Sequence, residues 1–174
     1  DLDHTLWDFE KNSALTFKLI FNQFNFSLDI ENFLIHYTPI NHACWKLYRE
    51  NKISQKELRI QRLVHTFKKI KFDISLKQIE EISELYITHL SSFTYLFDGT
   101  LDFINGLKNK YRLHIITNGF EEVQYVKLEQ SKLLHYFEQI ITSEQVGVKK
   151  PNPEIFRHAL LKAFCKPDES IMIG

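Results

Sequence analysis

From residue 100 onward, short apolar runs alternate with helical stretches, and this alternation narrows the fold more than any other feature of the sequence. Thr100 opens an amphipathic helix through Leu107, just after the Asp98-Gly99 turn. Tyr111 to Thr117 reads as a strand carrying the bulky apolar residues Leu113, Ile115 and Ile116. Glu121 to Gln130 reads as a helix and Phe137 to Thr142 as the next strand. Pro153 opens a helix through Ala163, and Ile171 to Ile173 reads as the last strand. Strand, helix, strand, helix, strand with short turns implies a parallel sheet wound with helices, so the expected class is α/β.

Residues 12–92 have a different texture, with helical periodicity throughout and no credible strand. Asn12 or Ser13 can cap a helix running to about Phe24. Asp29 to Tyr37 reads as a short helix ended near Pro39, and Asn41 to Glu50 as another. Ser54-Gln55-Lys56-Glu57 is a capping box opening the helix with Leu58, Leu63 and Phe67, and Ser75 caps a further one. The expected organisation is an α/β unit made of residues 1–11 and 93–174, with an all-helical unit, residues 12–92, inserted into it.

Composition removes several functional classes. The formal net charge of zero gives no global field toward nucleic acid polymers or anionic membranes. An apolar content of 44% excludes wholesale disorder. No apolar run is long enough to span a bilayer. Cys44 and Cys165 lie far apart and in no metal-ligand spacing, which suggests free thiols and a cytoplasmic setting. The expected partner is a small molecule, met by a monomer or weak homodimer.

In open parallel sheets, ligands bind beyond the carboxyl ends of the strands. Three stretches fall there. Asp1-Leu2-Asp3-His4-Thr5 brings two carboxylates into one small volume, where they repel unless a cation lies between them. A hard ion such as Mg²⁺ suits oxygen ligands and brings a phosphate with it; one carboxylate could then be a nucleophile and the other could move a proton. Thr117-Asn118-Gly119 offers a hydroxyl, an amide and backbone N–H groups suited to a phosphate oxygen. Gly147-Val148-Lys149-Lys150-Pro151 fixes a cation between glycine and proline, where it can neutralise a transferring phosphoryl group. Each stretch alone has an ordinary structural reading; their order and common placement point to phosphate chemistry.

Taken together, the chain resembles the haloacid dehalogenase superfamily, the large group of Mg²⁺-dependent aspartyl phosphatases. Asp1, Asp3 and Thr5 match its D-x-D-x-T motif, and Thr117 with Asn118 matches its second motif. Gly147, Lys150, Pro151, Pro153, Ile155 and Phe156 match G-x-x-K-P-x-P-x-I-F, which selects Lys150 over Lys149. A helical cap after the first motif is also typical of the family. Asp3-His4-Thr5-Leu6-Trp7-Asp8-Phe9, with Asn41, Trp45, Tyr48, Leu58, Arg59 and Arg62, further resembles the YjjG-type branch of 5′-nucleotidases acting on pyrimidine nucleoside monophosphates.

The resemblance implies roles. Asp1 is the nucleophile. Asp3 is the general acid and base, in an environment that must raise its pKa above the usual ~3.9. Thr117 and Lys150 hold phosphoryl oxygens, and Thr5 supports the acidic turn. Asn118 and Gly119 join the substrate site, with Trp45 stacking on a base and Arg62 pairing with phosphate or a base edge; both cap residues also read as cap structure. Mg²⁺ would lie on Asp1, the Asp3 backbone carbonyl and a further acidic residue after Gly174. The reading thus expects a chain cut at both ends, whose residues 1–174 alone bind Mg²⁺ weakly and turn over little. Alternatives are a phosphatase on phosphoglycolate or a sugar phosphate, a mutase, and an inactive relative serving as a binding protein. A dehalogenase is disfavoured by Asp3.

Overall fold

Helical periodicity in the first ninety residues yields helices, and the alternation after them yields parallel strands. A computed structural model describes residues 1–174, which form two compact units: Asp1–Asn12 with Ser91–Gly174, and Ser13–Leu90. No helix is long and apolar enough to cross a membrane. Cys44 and Cys165 are free thiols.

The helical unit contains most of α1 (Phe9–Gln23), then α2 (Ile30–Arg49), α3 (Gln55–Lys69) and α4 (Leu76–Leu90). The start of α1 lies earlier than the sequence suggests, because Asp8 rather than Asn12 or Ser13 takes the capping place: Lys11 N donates to Asp8 Oδ1 at 3.1 Å. The α3 capping box forms, with Ser54 and Glu57 satisfying each other's backbone N–H groups. Ser75 and Gln78 repeat that exchange ahead of α4.

The two helices expected on either side of Pro39 are one. Residues on both sides of the proline share a buried face, namely Phe33, Tyr37, Asn41, Cys44 and Tyr48. Proline removes one backbone hydrogen bond, yet burying a continuous stripe outweighs that loss. Phe17 sits at the centre of this unit, with ring centroids of Tyr37, Tyr86 and Phe33 at 4.6, 4.7 and 4.9 Å.

The α/β unit follows the order α5 (Thr100–Leu107), β1 (His114–Thr117), α6 (Glu121–Gln130), β2 (Gln139–Thr142), α7 (Ser143–Val146) and α8 (Pro153–Ala163). The strands pair in parallel, from His114 against Gln139 to Thr117 against Thr142. Both therefore end on a threonine at the same edge. Ile141, Ile155 and Ala159 form a core beneath them, packed against Ile116, Val148 and Phe156. The strands begin two to three residues later than the sequence suggests, since Tyr111 is exposed and Glu138 pairs with Arg112 by side chain. Ile171–Ile173, expected as a buried strand, is extended but exposed and outside any ladder. Strand structure exists only in a ladder, and here a single bond, from the Asp1 nitrogen to Ile173 O at 2.9 Å, runs alongside it.

Phe17→Ala should cost about 3–5 kcal/mol in denaturant unfolding, because three aromatic neighbours lose their shared partner. His114, whose Nδ1 is buried without a partner, is held below its usual pKa by burial. Its folded pKa is depressed, so the unfolded chain binds the proton better, and stability falls as pH drops below about 6.5. Thermal unfolding at pH 7.5 and 5.5 should show a smaller acid loss in His114→Gln than in the native chain.

Candidate active site

The acidic stretch is a tight turn wound on one carbonyl. Leu2 O accepts from the N–H groups of Thr5, Leu6 and Trp7 at 3.3, 2.9 and 3.0 Å, and His4 takes the left-handed conformation (φ 60°) that this winding requires. Leu2 is fully buried, which anchors the turn and sends the flanking carboxylates of Asp1 and Asp3 to separate partners.

Asp1 meets Lys150. Its Oδ2 lies 2.7 Å from Lys150 Nζ, and its Oδ1 accepts from Leu2 N at 2.9 Å. Lys150 Nζ also donates to Ile116 O, near the end of β1, at 2.9 Å. Burial pulls the Lys150 ammonium down to about 8, with the Asp3 charge opposing that shift. Asn118 fixes the lysine's backbone from both sides: Lys150 N donates to Asn118 Oδ1 at 2.7 Å, and Asn118 Nδ2 donates to Lys150 O at 3.1 Å. Asn118 therefore holds the lysine loop, where the sequence suggested a substrate contact.

Asp3 meets α6. Its Oδ1 lies 2.6 Å from Lys127 Nζ, and its Oδ2 accepts from Gln124 Nε2 at 2.7 Å. Gln124 Nε2 also donates to Thr117 Oγ1 at 3.2 Å, and Gly119 N donates to the same oxygen at 3.0 Å. Both lone pairs of the Thr117 hydroxyl are thus taken, and its own hydrogen is left as a donor. The Gly119 N–H, expected to face a phosphate, is turned inward instead. Gly119 serves as room: a Cβ there would lie 1.6 Å from Gln124 Nε2. At the other side of the turn, a Cβ on Gly174 (φ +131°) would lie 2.8 Å from Asp1 Cβ and 2.9 Å from Thr5 Oγ1, so only glycine fits against the acidic turn.

Gln124 and Lys127 escaped the reading of the sequence. The buried face of α6 is Val123, Gln124, Lys127 and Leu128. Two polar residues in the middle of an apolar stripe are the signal that could have found them. Lys127 is almost fully buried, with its ammonium 4.2 Å over the Trp7 ring and 5.3 Å over Phe9. Each of the two carboxylates thus faces a lysine.

Trp45 and Arg62 belong to the helical unit. Trp45 is half-buried, its ring 5.6 Å edge-on from Tyr48. Arg62 is buried, donates to Asn41 Oδ1 at 3.1 Å and lies 4.7 Å over the Tyr86 ring.

Comparison with known proteins gives the family. Residues 1–174 match the family described as haloacid dehalogenase-like hydrolase. The chain belongs to that family. It is 29% identical to pyrimidine 5′-nucleotidase YjjG of Escherichia coli, over all of this chain and 74% of the relative. It is 31% identical to pyrimidine 5′-nucleotidase PynA of Streptococcus pneumoniae, again over the whole chain and 73% of the relative. A glyceraldehyde 3-phosphate phosphatase of Pyrococcus furiosus is 31% identical over the whole chain and 70% of its own length. The crystal structure of the HAD-hydrolase YfnB of Bacillus subtilis, bound to magnesium, superposes with a TM-score of 0.84 at 29% identity, covering 98% of this chain and 73% of that one. In sequence alignment the chain spans 66% of YfnB. The family confirms the α/β class with its parallel sheet.

Gly119→Ala should cost roughly 1–3 kcal/mol in denaturant unfolding, because Gln124 must leave its place. Gly106→Ala, in α5 with nothing within 4 Å, should be neutral or stabilising by up to about 1 kcal/mol.

Proposed function

We propose that the protein carrying this chain hydrolyses phosphomonoesters through an aspartyl-phosphate on Asp1, with pyrimidine nucleoside 5′-monophosphates as substrates. The observation behind this reading is a single cluster: Asp1 paired to Lys150 at 2.7 Å, and Asp3 joined through Gln124 to the hydroxyl of Thr117. The pyrimidine class rests on the likeness to two relatives named for it.

In the proposed reaction a carboxylate oxygen of Asp1 attacks phosphorus in line, and the P–O bond to the leaving alcohol breaks. Asp3, having taken up a proton from solvent as the substrate binds, gives it to that alcohol, then takes one from the water that attacks the aspartyl-phosphate and returns it to solvent, so inorganic phosphate leaves and both carboxylates are restored. Lys150 exchanges its pairing with Asp1 for a phosphoryl oxygen, and the Thr117 O–H donates to another. Asn118 keeps the lysine in place throughout.

Mg²⁺ fits the donor set. With the Asp3 side chain engaged by Lys127 and Gln124, the Asp1 carboxylate and the Asp3 backbone carbonyl are the hard oxygens that would hold it. When bound, the ion supplies charge neutralisation between nucleophile and phosphoryl oxygens. We assign the helical unit the role of cap. Trp45 is its aromatic for stacking on the base, while Arg62, buried against Tyr86, serves that unit's core.

The test is phosphate release by the intact protein with Mg²⁺ from pyrimidine and purine monophosphates, phosphoglycolate and triose and sugar phosphates. Preference for uridine and thymidine monophosphates is expected. Asp1→Asn should lower kcat by about 10⁴-fold or more, and Lys150→Ala by about 10²–10³-fold. The triose phosphatase relative supports a second reading, and strongest turnover of glyceraldehyde 3-phosphate would put that reading first with the chemistry unchanged. No phosphate release from any member of the panel would overturn both.

A further inference from the structure

We propose that Gln124 and Lys127 are positioning residues that hold the Asp3 carboxylate and the Thr117 hydroxyl in a fixed mutual geometry; the proposal rests on the phosphatase reading above. Gln124 and Lys127 are three apart on α6, so both side chains rise from one face of the helix. Each takes one oxygen of Asp3, Lys127 on Oδ1 at 2.6 Å and Gln124 on Oδ2 at 2.7 Å. A carboxylate held at both oxygens by groups on one rigid helix has lost rotation about its side-chain bonds.

Gln124 does a second thing. The same amide nitrogen donates to Thr117 Oγ1 at 3.2 Å. With Gly119 N on the other lone pair, the threonine hydrogen has one direction left, away from both donors. One amide thus couples the group that moves protons to the group that holds a phosphoryl oxygen.

The arrangement is costly for stability alone. Gln124 Oε1 is buried without a partner, an ammonium is carried into an aromatic environment at Lys127, and Gly119 must lack a side chain to make room. An apolar pair at these two places would fill the α6 face without those penalties. The amide cannot turn to satisfy Oε1, because that would set an acceptor against the Asp3 carboxylate. Its cost is explained by what the other end of the amide does.

The experiment uses the intact protein, with the best substrate of the panel. Gln124→Leu and Lys127→Met should lower kcat roughly 10- to 100-fold with KM changed less than about threefold, the split expected when alignment is lost and binding is kept. Lys127→Arg, which keeps a donor cation, should recover much of the loss. Thr117→Val combined with Gln124→Leu should lose less than the product of the single losses, because both act through one hydroxyl. Glu129→Gln, on the exposed face of α6, should leave kcat unchanged. Melting temperatures identify variants that fail by unfolding, and for these Gln124→Met and Lys127→Arg supply the comparison in folded protein. Losses confined to melting temperature, with native kcat in folded variants, or fully multiplicative losses in the Thr117 pair, would overturn the proposal while leaving the phosphatase reading intact. A native enzyme that releases phosphate from nothing in the panel would overturn both.

Discussion

Two carboxylates within one tight turn are the constraint around which the α/β unit is arranged. Placed two residues apart at the mouth of a sheet, Asp1 and Asp3 would repel each other, and the fold answers with a lysine on each. Those lysines come from different elements, one from α6 and one from the loop before α8. Removing one partner of a buried pair typically costs about 3–5 kcal/mol, because the survivor stays buried and unmatched. Placement of the turn, the helix and the loop is therefore mutually enforced. The two pairs differ in kind. Lys127 is sealed against Trp7 and Phe9, whereas Lys150 is less deeply buried and is lowered by burial to about 8.

Much of the α/β unit was readable because its signals are local. Thr117-Asn118-Gly119 marks a strand end by turn chemistry, Pro153 marks a helix start, and alternation of apolar runs with helices leaves only parallel pairing. The acidic turn and Lys150 were readable because their motifs are contiguous. Other features were decided by distance. Pro39 argues locally for a break, but a stripe from Phe33 to Tyr48 argues over four turns for continuity, and burying that stripe outweighs the one hydrogen bond lost at the proline. Ile171–Ile173 has a strand's composition, but composition cannot supply the neighbour that makes a strand.

Gln124 and Lys127 show the same limit at the site. A lysine on a helix is ordinarily a solvated charge, and the apolar Val123 and Leu128 that share its face are the one local sign against that. Its role appears only when Asp3, more than a hundred residues earlier in the chain, is brought beside it. Asn118 is a related case. Its type and position were legible, yet its use was not, since an amide after a strand can face a ligand or a loop with equal chemical sense. Only the two opposed bonds to the Lys150 peptide decide between them.

The in-register ending of β1 and β2 on Thr117 and Thr142 divides the sheet into two unequal edges. At the threonine edge, the Asn118 clasp ties the segment leaving β1 to the segment leaving β2, so the number of residues from Thr142 to Lys150 is set by geometry. An extra residue there would carry Lys150 out of the clasp and away from Asp1. At the opposite edge, the segments entering the strands are joined by the exposed Arg112–Glu138 ion pair at 2.6 Å and by the bond from Glu138 N to Leu113 O at 2.9 Å, neither of which holds a residue of the site. Insertions and deletions accumulated over evolutionary time should therefore collect at the strand beginnings, and the eight-residue interval from Thr142 to Lys150 should keep its length even where its residues change.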